Sequence, residues 1–186
     1  MRRLFTAMLV AAALVIPLAA DAAPLGADGK AAQDAMPVYR NADSGLEAQY
    51  PAGWKAVEGL MGAAVIFASP LESKEDKFSE NVNIIVEDVS AHPGMTLGKY
   101  IERAKAKLAV FITEYSPKDS RDSILSGQPA KLIEYTGRQG VFNLHILQSV
   151  TLIDGKAYVV TFTAEEDNYE RYLPAAKRIM DSLAIK

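Results

Sequence analysis

The stretch FNLHILQSVTLIDGKAYVVTFTA, residues 142–164, decides the fold. Two runs rich in β-branched and aromatic residues flank Asp154-Gly155. Asp-Gly tolerates positive φ at both central positions of a tight turn, so the two runs predict a β-hairpin. Side chains alternate sides along a strand, and here both sides carry apolar residues. Leu144 and Ile146 oppose Leu147 and Ile153, while Tyr158 and Phe162 oppose Val159. A sheet that is apolar on both faces needs cover on both.

Two amphipathic segments can supply that cover. Leu97, Tyr100, Ile101, Ala104, Leu108 and Phe111 recur at three- and four-residue steps behind Thr96, which suits an N-cap. Tyr169, Tyr172, Leu173, Ala176, Ile179, Met180 and Leu183 form a second stripe. Glu165, Glu166 and Asp167 precede it, where negative charge complements the helix dipole. Pro174 cannot donate an i→i−4 bond, so the main helix is expected to begin near it, after a separate turn or a kink.

Further strands are expected upstream. Leu46, Ala48 and Tyr50 share one side of a run that Pro51-Ala52-Gly53 turns. Residues 63–68 form a short apolar run, and residues 81–89 a longer one after a charged loop. In the latter, Val82, Ile84 and Val86 face one way, and Asn83, Ile85, Glu87 and Val89 the other. Ile124 and Leu125 lead as a further strand to the turn Gly127-Gln128-Pro129, and residues 130–136 follow it. Connection by hairpins implies antiparallel pairing. The expected class is α+β, a three-layer α/β/α sandwich around a central, mainly antiparallel sheet.

Compartment is read from the other end of the chain. Arg2 and Arg3 precede an apolar run over residues 7–16, then Pro17 and Ala20-Asp21-Ala22. A basic start, a short apolar core and an A-x-A site predict a removable secretory signal over residues 1–22. Its short basic region and strong apolar core favour the general secretory route over twin-arginine export. Residues 23–37, rich in Ala, Gly, Asp and Pro, are expected to be a flexible linker, and residues 38–186 one domain. The expected location is periplasmic or secreted.

The chain has no cysteine. That excludes a lipid-anchoring thiol, a disulfide framework, a thiolate zinc site and a cysteine nucleophile. A formal net charge of −3 in 186 residues is unlike a nucleic-acid binder.

Chemistry-bearing residues are few. His92 precedes Pro93-Gly94 in a turn, and His145 lies mid-strand with Asn143, Ser149 and Thr151 on its side. Ser149 is four residues along the same strand, roughly 13 Å away and out of proton-transfer reach. No G-x-S-x-G elbow occurs. No catalytic residue and no cofactor is assigned. Glu72, Glu75, Asp76 and Glu80 cluster in one loop, and Glu165, Glu166 and Asp167 in another. Neither has the spacing of a dedicated calcium loop, and Lys74 and Lys77 are expected to neutralise the first from within. Lys99, Arg103 and Lys107 fall four residues apart on one helix face, with Glu102 and Lys105 beside them. This stripe suits an acidic partner or anionic lipid heads and is the candidate partner-binding surface.

Several motifs, in order, resemble a known pattern: Tyr50-Pro51-Ala52-Gly53-Trp54, Phe67-Ala68-Ser69-Pro70, Glu80-Asn81-Val82-Asn83-Ile84-Ile85-Val86-Glu87 and Gly127-Gln128-Pro129-Ala130. Lys156-Ala157-Tyr158-Val159-Val160-Thr161-Phe162-Thr163-Ala164 and Ser182 complete the set. Together they resemble the PsbP-like superfamily, and within it the bacterial DcrB-type and DUF1795 envelope proteins. The resemblance covers residues from about Ser44 to Leu183. It implies the sandwich and an accessory or binding role, since members assist calcium and chloride retention in photosystem II, act in the envelope, or bind the GTPase Ran. The chain lacks the lipid-anchoring cysteine of the DcrB type and the basic arm of plant PsbP. Pro51 and Gly53 would shape a turn that folds Trp54 over the sheet edge, and Asn81 and Asn83 would bond to loop backbone.

The expected function is that of a non-catalytic exported accessory protein, acting by protein–protein contact with an envelope partner. The alternative is a periplasmic carrier of a small ligand or of calcium.

Overall fold

The computed structural model describes residues 36–186, so the leader expected at 1–22 and nearly all of the linker expected at 23–37 lie outside the described residues. The first strands are β1 (Val38–Asn41), β2 (Leu46–Gln49), β3 (Lys55–Glu58), β4 (Val65–Ala68) and β5 (Asn81–Asp88). Helix α1 (Leu97–Phe111) follows, then β6 (Thr113–Leu125), β7 (Gln128–Gln139), β8 (Phe142–Ile153) and β9 (Lys156–Glu165). Helix α2 (Tyr169–Ser182) and β10 (Ala184–Ile185) close the chain. Seven strands form one antiparallel sheet, in the order β3-β4-β5-β9-β8-β7-β6, and β1-β2-β10 form a smaller one. The fold is α+β, mostly antiparallel, with two α-helices among the described residues.

The β8–β9 hairpin has the turn its sequence predicts. Asp154 (φ 47°) and Gly155 (φ 73°) both take the left-handed conformation, and pairing runs from Ile153↔Lys156 to Leu144↔Glu165. This register fixes which residues meet each helix. Val82, Ile84, Val160 and Phe162 cluster with Ala176, Ile179 and Met180 of α2. Their strand neighbours Ile85, Val150 and Val159 cluster instead with Tyr100 and Ala104 of α1. Ile133, Ile146 and Leu144 gather around Ile101 and Leu108 as a third cluster, also against α1. Thr96 caps α1 as expected, its hydroxyl accepting from the Lys99 N–H.

Two expectations need correction. Helix α2 does not start near Pro174 but at Tyr169, after a short 3-10 turn over Glu166–Asn168. Side chains hold this first turn despite the bond that Pro174 forfeits. Tyr169 is buried, Asn168 reaches Glu80, and Arg171 and Tyr172 both reach Glu72. Strand β6 is a 13-residue edge strand, where the sequence pattern marked only Ile124 and Leu125. Its solvent-facing Ser, Asp, Lys and Arg residues carry no burial rhythm to read. Trp54, which directly precedes the edge strand β3, is buried, and its ring meets Tyr172 of α2 at 6.2 Å.

Candidate functional site

The stripe on α1 is only partly a free cationic face. Lys99 and Arg103 are exposed one turn apart, yet the Lys99 ammonium donates to the Gly94 carbonyl at 3.0 Å. The side chain of Lys107 lies outside the described residues. Glu102, which interrupts the stripe in sequence, pairs with Lys105 at 3.3 Å. Arg103 therefore keeps the guanidinium of this face available, with Lys99 beside it.

His145 is satisfied, and its partner is a residue the sequence did not mark. Its Nε2 lies 2.8 Å from Glu134 Oε1 on the neighbouring strand β7. The ring stacks on Tyr169, with centroids 3.4 Å apart and planes 11° from parallel. Burial, and next the Glu134 charge, hold the Tyr169 hydroxyl well above the usual tyrosine range. Ser149, on the same side of β8, is buried. This arrangement orients an imidazole but places no nucleophile beside it. His92 is exposed and lines a cavity of about 280 Å³ with Ser90, Met95, Leu152 and Asp154.

The two acidic loops do come together, but their carboxylates are spent on structure. Glu72 accepts from Arg171 Nη1 at 2.6 Å and from the Tyr172 hydroxyl at 2.7 Å. Asp76 accepts from the Glu72 and Phe78 N–H groups, which ties its own loop. Glu80 is almost wholly buried and accepts from Asn168 at 3.0 Å and Ser69 at 3.3 Å. Burial raises the Glu80 carboxyl above the ordinary range despite these bonds. Glu165 is raised too, by burial first and then by Asp76, Asp167 and Glu72. The neutralising charge is not Lys77, whose ammonium donates to the Lys74 carbonyl, but Arg171 from α2. Among the described residues no three carboxylates or imidazoles converge as a metal ion would require.

A second polar group was missed by sequence. Asn81, Asn83, Gln148, Thr161 and Thr163 are all buried, at 0%, 4%, 2%, 0% and 0% exposure. They are neighbours: Asn81 pairs with Thr163 across β5–β9, Asn83 with Thr161, and Thr161 with Gln148 across β9–β8. They share the α1 side of the sheet with Ile85, Val159 and Val150, and they lie between the two apolar clusters that α1 straddles. Gln148 donates to Thr161 at 3.0 Å, and Asn81 donates to the Ser79 carbonyl at 3.0 Å, as expected for a loop-bonding Asn. Asn83 makes no such bond to loop backbone. The acceptor oxygens of Asn81 and Asn83, with the Thr163 hydroxyl, find no partner among the described residues. A buried polar group left unpaired costs about 1–3 kcal/mol, so a row of three is energetically conspicuous. The signal was present in Asn81-x-Asn83, two amides on a side that alternation assigns to the core.

A mostly antiparallel α+β scaffold, with two helices among the described residues, defines the structural class. The chain belongs to the PsbP family, whose model matches residues 34–185. Cyanobacterial PsbP from Synechocystis is similar at 21% identity and a TM-score of 0.61, over 88% of this chain and 100% of that one. LpqN of Mycobacterium tuberculosis, described as involved in cell envelope biogenesis, is 15% identical (TM-score 0.58; 82% and 91% covered). The Ran-binding protein Mog1p of Saccharomyces cerevisiae is 5% identical (TM-score 0.53; 81% and 95% covered). At these identities the likeness is one of fold. No curated protein matches the chain.

Proposed function

We propose that this chain is a non-catalytic accessory protein of the bacterial envelope that works by protein–protein contact. In this reading the leader is removed after Ala22, residues 23–37 form an arm, and the domain is periplasmic or secreted. The two helices cover the two faces of the large sheet as outer layers, which leaves their polar sides for partners. Within the family, the motifs quoted above ally the chain with the DcrB-type and DUF1795 proteins.

One observation carries the proposal: among the described residues His145 is bonded to Glu134, Glu80 to Asn168 and Ser69, and Glu72 to Arg171, whereas α1 presents Lys99 and Arg103 outward. His145 between Glu134 and Tyr169 has the geometry of a packing unit, with no nucleophile in reach. The structural neighbours lend support, one being described by its part in envelope biogenesis and another by its protein partner. Helix α1 packs by Tyr100, Ile101, Ala104 and Leu108 against the sheet, which leaves Lys99 and Arg103 on its exposed side.

In-cell crosslinking tests it. A photoreactive residue placed at the exposed Ala106 of α1, which leaves Lys99 and Arg103 intact, is expected to capture one defined envelope protein. The charge reversals Lys99→Glu and Arg103→Glu, both at exposed positions, are expected to abolish capture without moving the melting temperature. Recovery of nothing above background, or capture indifferent to both reversals, defeats the reading.

A further inference from the structure

We infer that the polar row beneath α1 is a binding site for neutral hydroxyl donors, held between the helix and the sheet. The acceptors are Asn81 Oδ1 and Asn83 Oδ1, with the Thr163 hydroxyl beside them. The amide nitrogen of Asn81 is engaged by the Ser79 carbonyl, which leaves its oxygen as the unpaired end. Thr163 stands directly across the strand pair from Asn81, and Asn83 is two residues along on the same side. All three are more than nine-tenths buried. Their neighbours Gln148 and Thr161 are already bonded to each other, so they frame the site rather than fill it.

The chemistry of the occupant follows from this donor set. Two amide oxygens can only accept, so what meets them must donate. The row carries no charged side chain, and a buried ion there would lose its hydration without a counter-charge. A neutral O–H group satisfies both conditions and can bridge neighbouring acceptors, as internal water does in many proteins. Two sources share that chemistry: ordered water and the hydroxyls of a small polyol. Along the same side of the strands the row is followed by Ile85, Val150 and Val159, which cluster with Tyr100 and Ala104 of α1, and Gln148 is preceded by Ile146, which clusters with Ile133 and Ile101.

Water-to-protein NOE spectra of the full chain, labelled with nitrogen-15 and carbon-13, provide the test. Long-lived water cross-peaks are expected at the side chains of Asn81, Asn83 and Thr163, and none at Val150 and Val159. Titration with erythritol then separates the sources. Saturable shifts confined to the row, with loss of the water peaks, identify a polyol site; peaks that persist identify resident water. Asn83→Leu, which suits the apolar flanks, is expected to erase the cross-peaks at Asn81 and Thr163 as well. Absence of cross-peaks at all three residues in the native chain overturns the inference. So does their survival at Thr163 in the Asn83→Leu protein, or a protein donor found bonded to both amide oxygens.

Discussion

Glu80 shows how one side chain couples the fold to pH. Its carboxyl is buried among Ser69, Asn168 and the start of β5, and burial raises its proton affinity above that of the unfolded chain. Its contribution is therefore complete in acid and is lost as pH rises through the raised value. Glu80→Gln keeps an acceptor for Asn168 and removes the buried charge. The variant is expected to melt above the native protein at neutral and alkaline pH, with the gap closing as pH falls toward the ordinary value of 4.5. Thermal scans across pH will show whether the gap closes. Gly137 makes a steric case. A Cβ there would run into Ile112 Cγ2 and lie 3.2 Å from the Thr113 carbonyl oxygen, where the chain turns from α1 into β6. Gly137→Ala is expected to cost about 1–3 kcal/mol, read as a lower urea midpoint. Single-residue roles of this kind were only half legible in sequence. His145 was marked, but Glu134 was not, because their meeting depends on the β7–β8 register, and no local pattern encodes that register.

Among the elements, those with a one-sided burial rhythm were readable. The β8–β9 hairpin declared itself through Asp154-Gly155, and α1 through Thr96 and its apolar stripe. Strand β6 did not, since it is an edge whose side chains mostly meet solvent and whose pairing is interrupted by bulges around Ser116 and Pro117. The start of α2 was misjudged because Pro174 argues locally against a helix that Tyr169, Arg171 and Tyr172 secure by tertiary contacts. The helices also differ in footing. Helix α2 lies on an apolar cluster rooted in Phe67, Val82 and Phe162, whereas α1 straddles two clusters with the polar row between them. Amides of α1 are accordingly expected to exchange with solvent deuterium through a lower-energy opening than those of α2. Residue-resolved hydrogen exchange under native conditions will rank the two, and equal protection would count against the footing argument.

For the molecule as a whole, the sequence made the α+β class and the antiparallel sheet legible, because hairpin turns and doubly apolar strands are local properties. The candidate site was less legible, since the polar row is assembled from β5, β8 and β9. Export is the prediction that belongs to this scale. Expressed with its natural N-terminus in a bacterial host, the protein is expected to appear outside the cytoplasm beginning at Ala23. Intact mass of the fractionated material decides it, and a full-length cytoplasmic product would refute export. The small sheet bears on the same question. Strand β2 takes β1 on one side and β10 on the other, and the Lys186 N–H closes on the Gly45 carbonyl at 2.9 Å. If the export proposed above delivers the chain unfolded and N-terminus first, this clasp forms only after residues 184–186 have crossed, and a chain cut short before residue 184 would arrive unlatched and open to proteases.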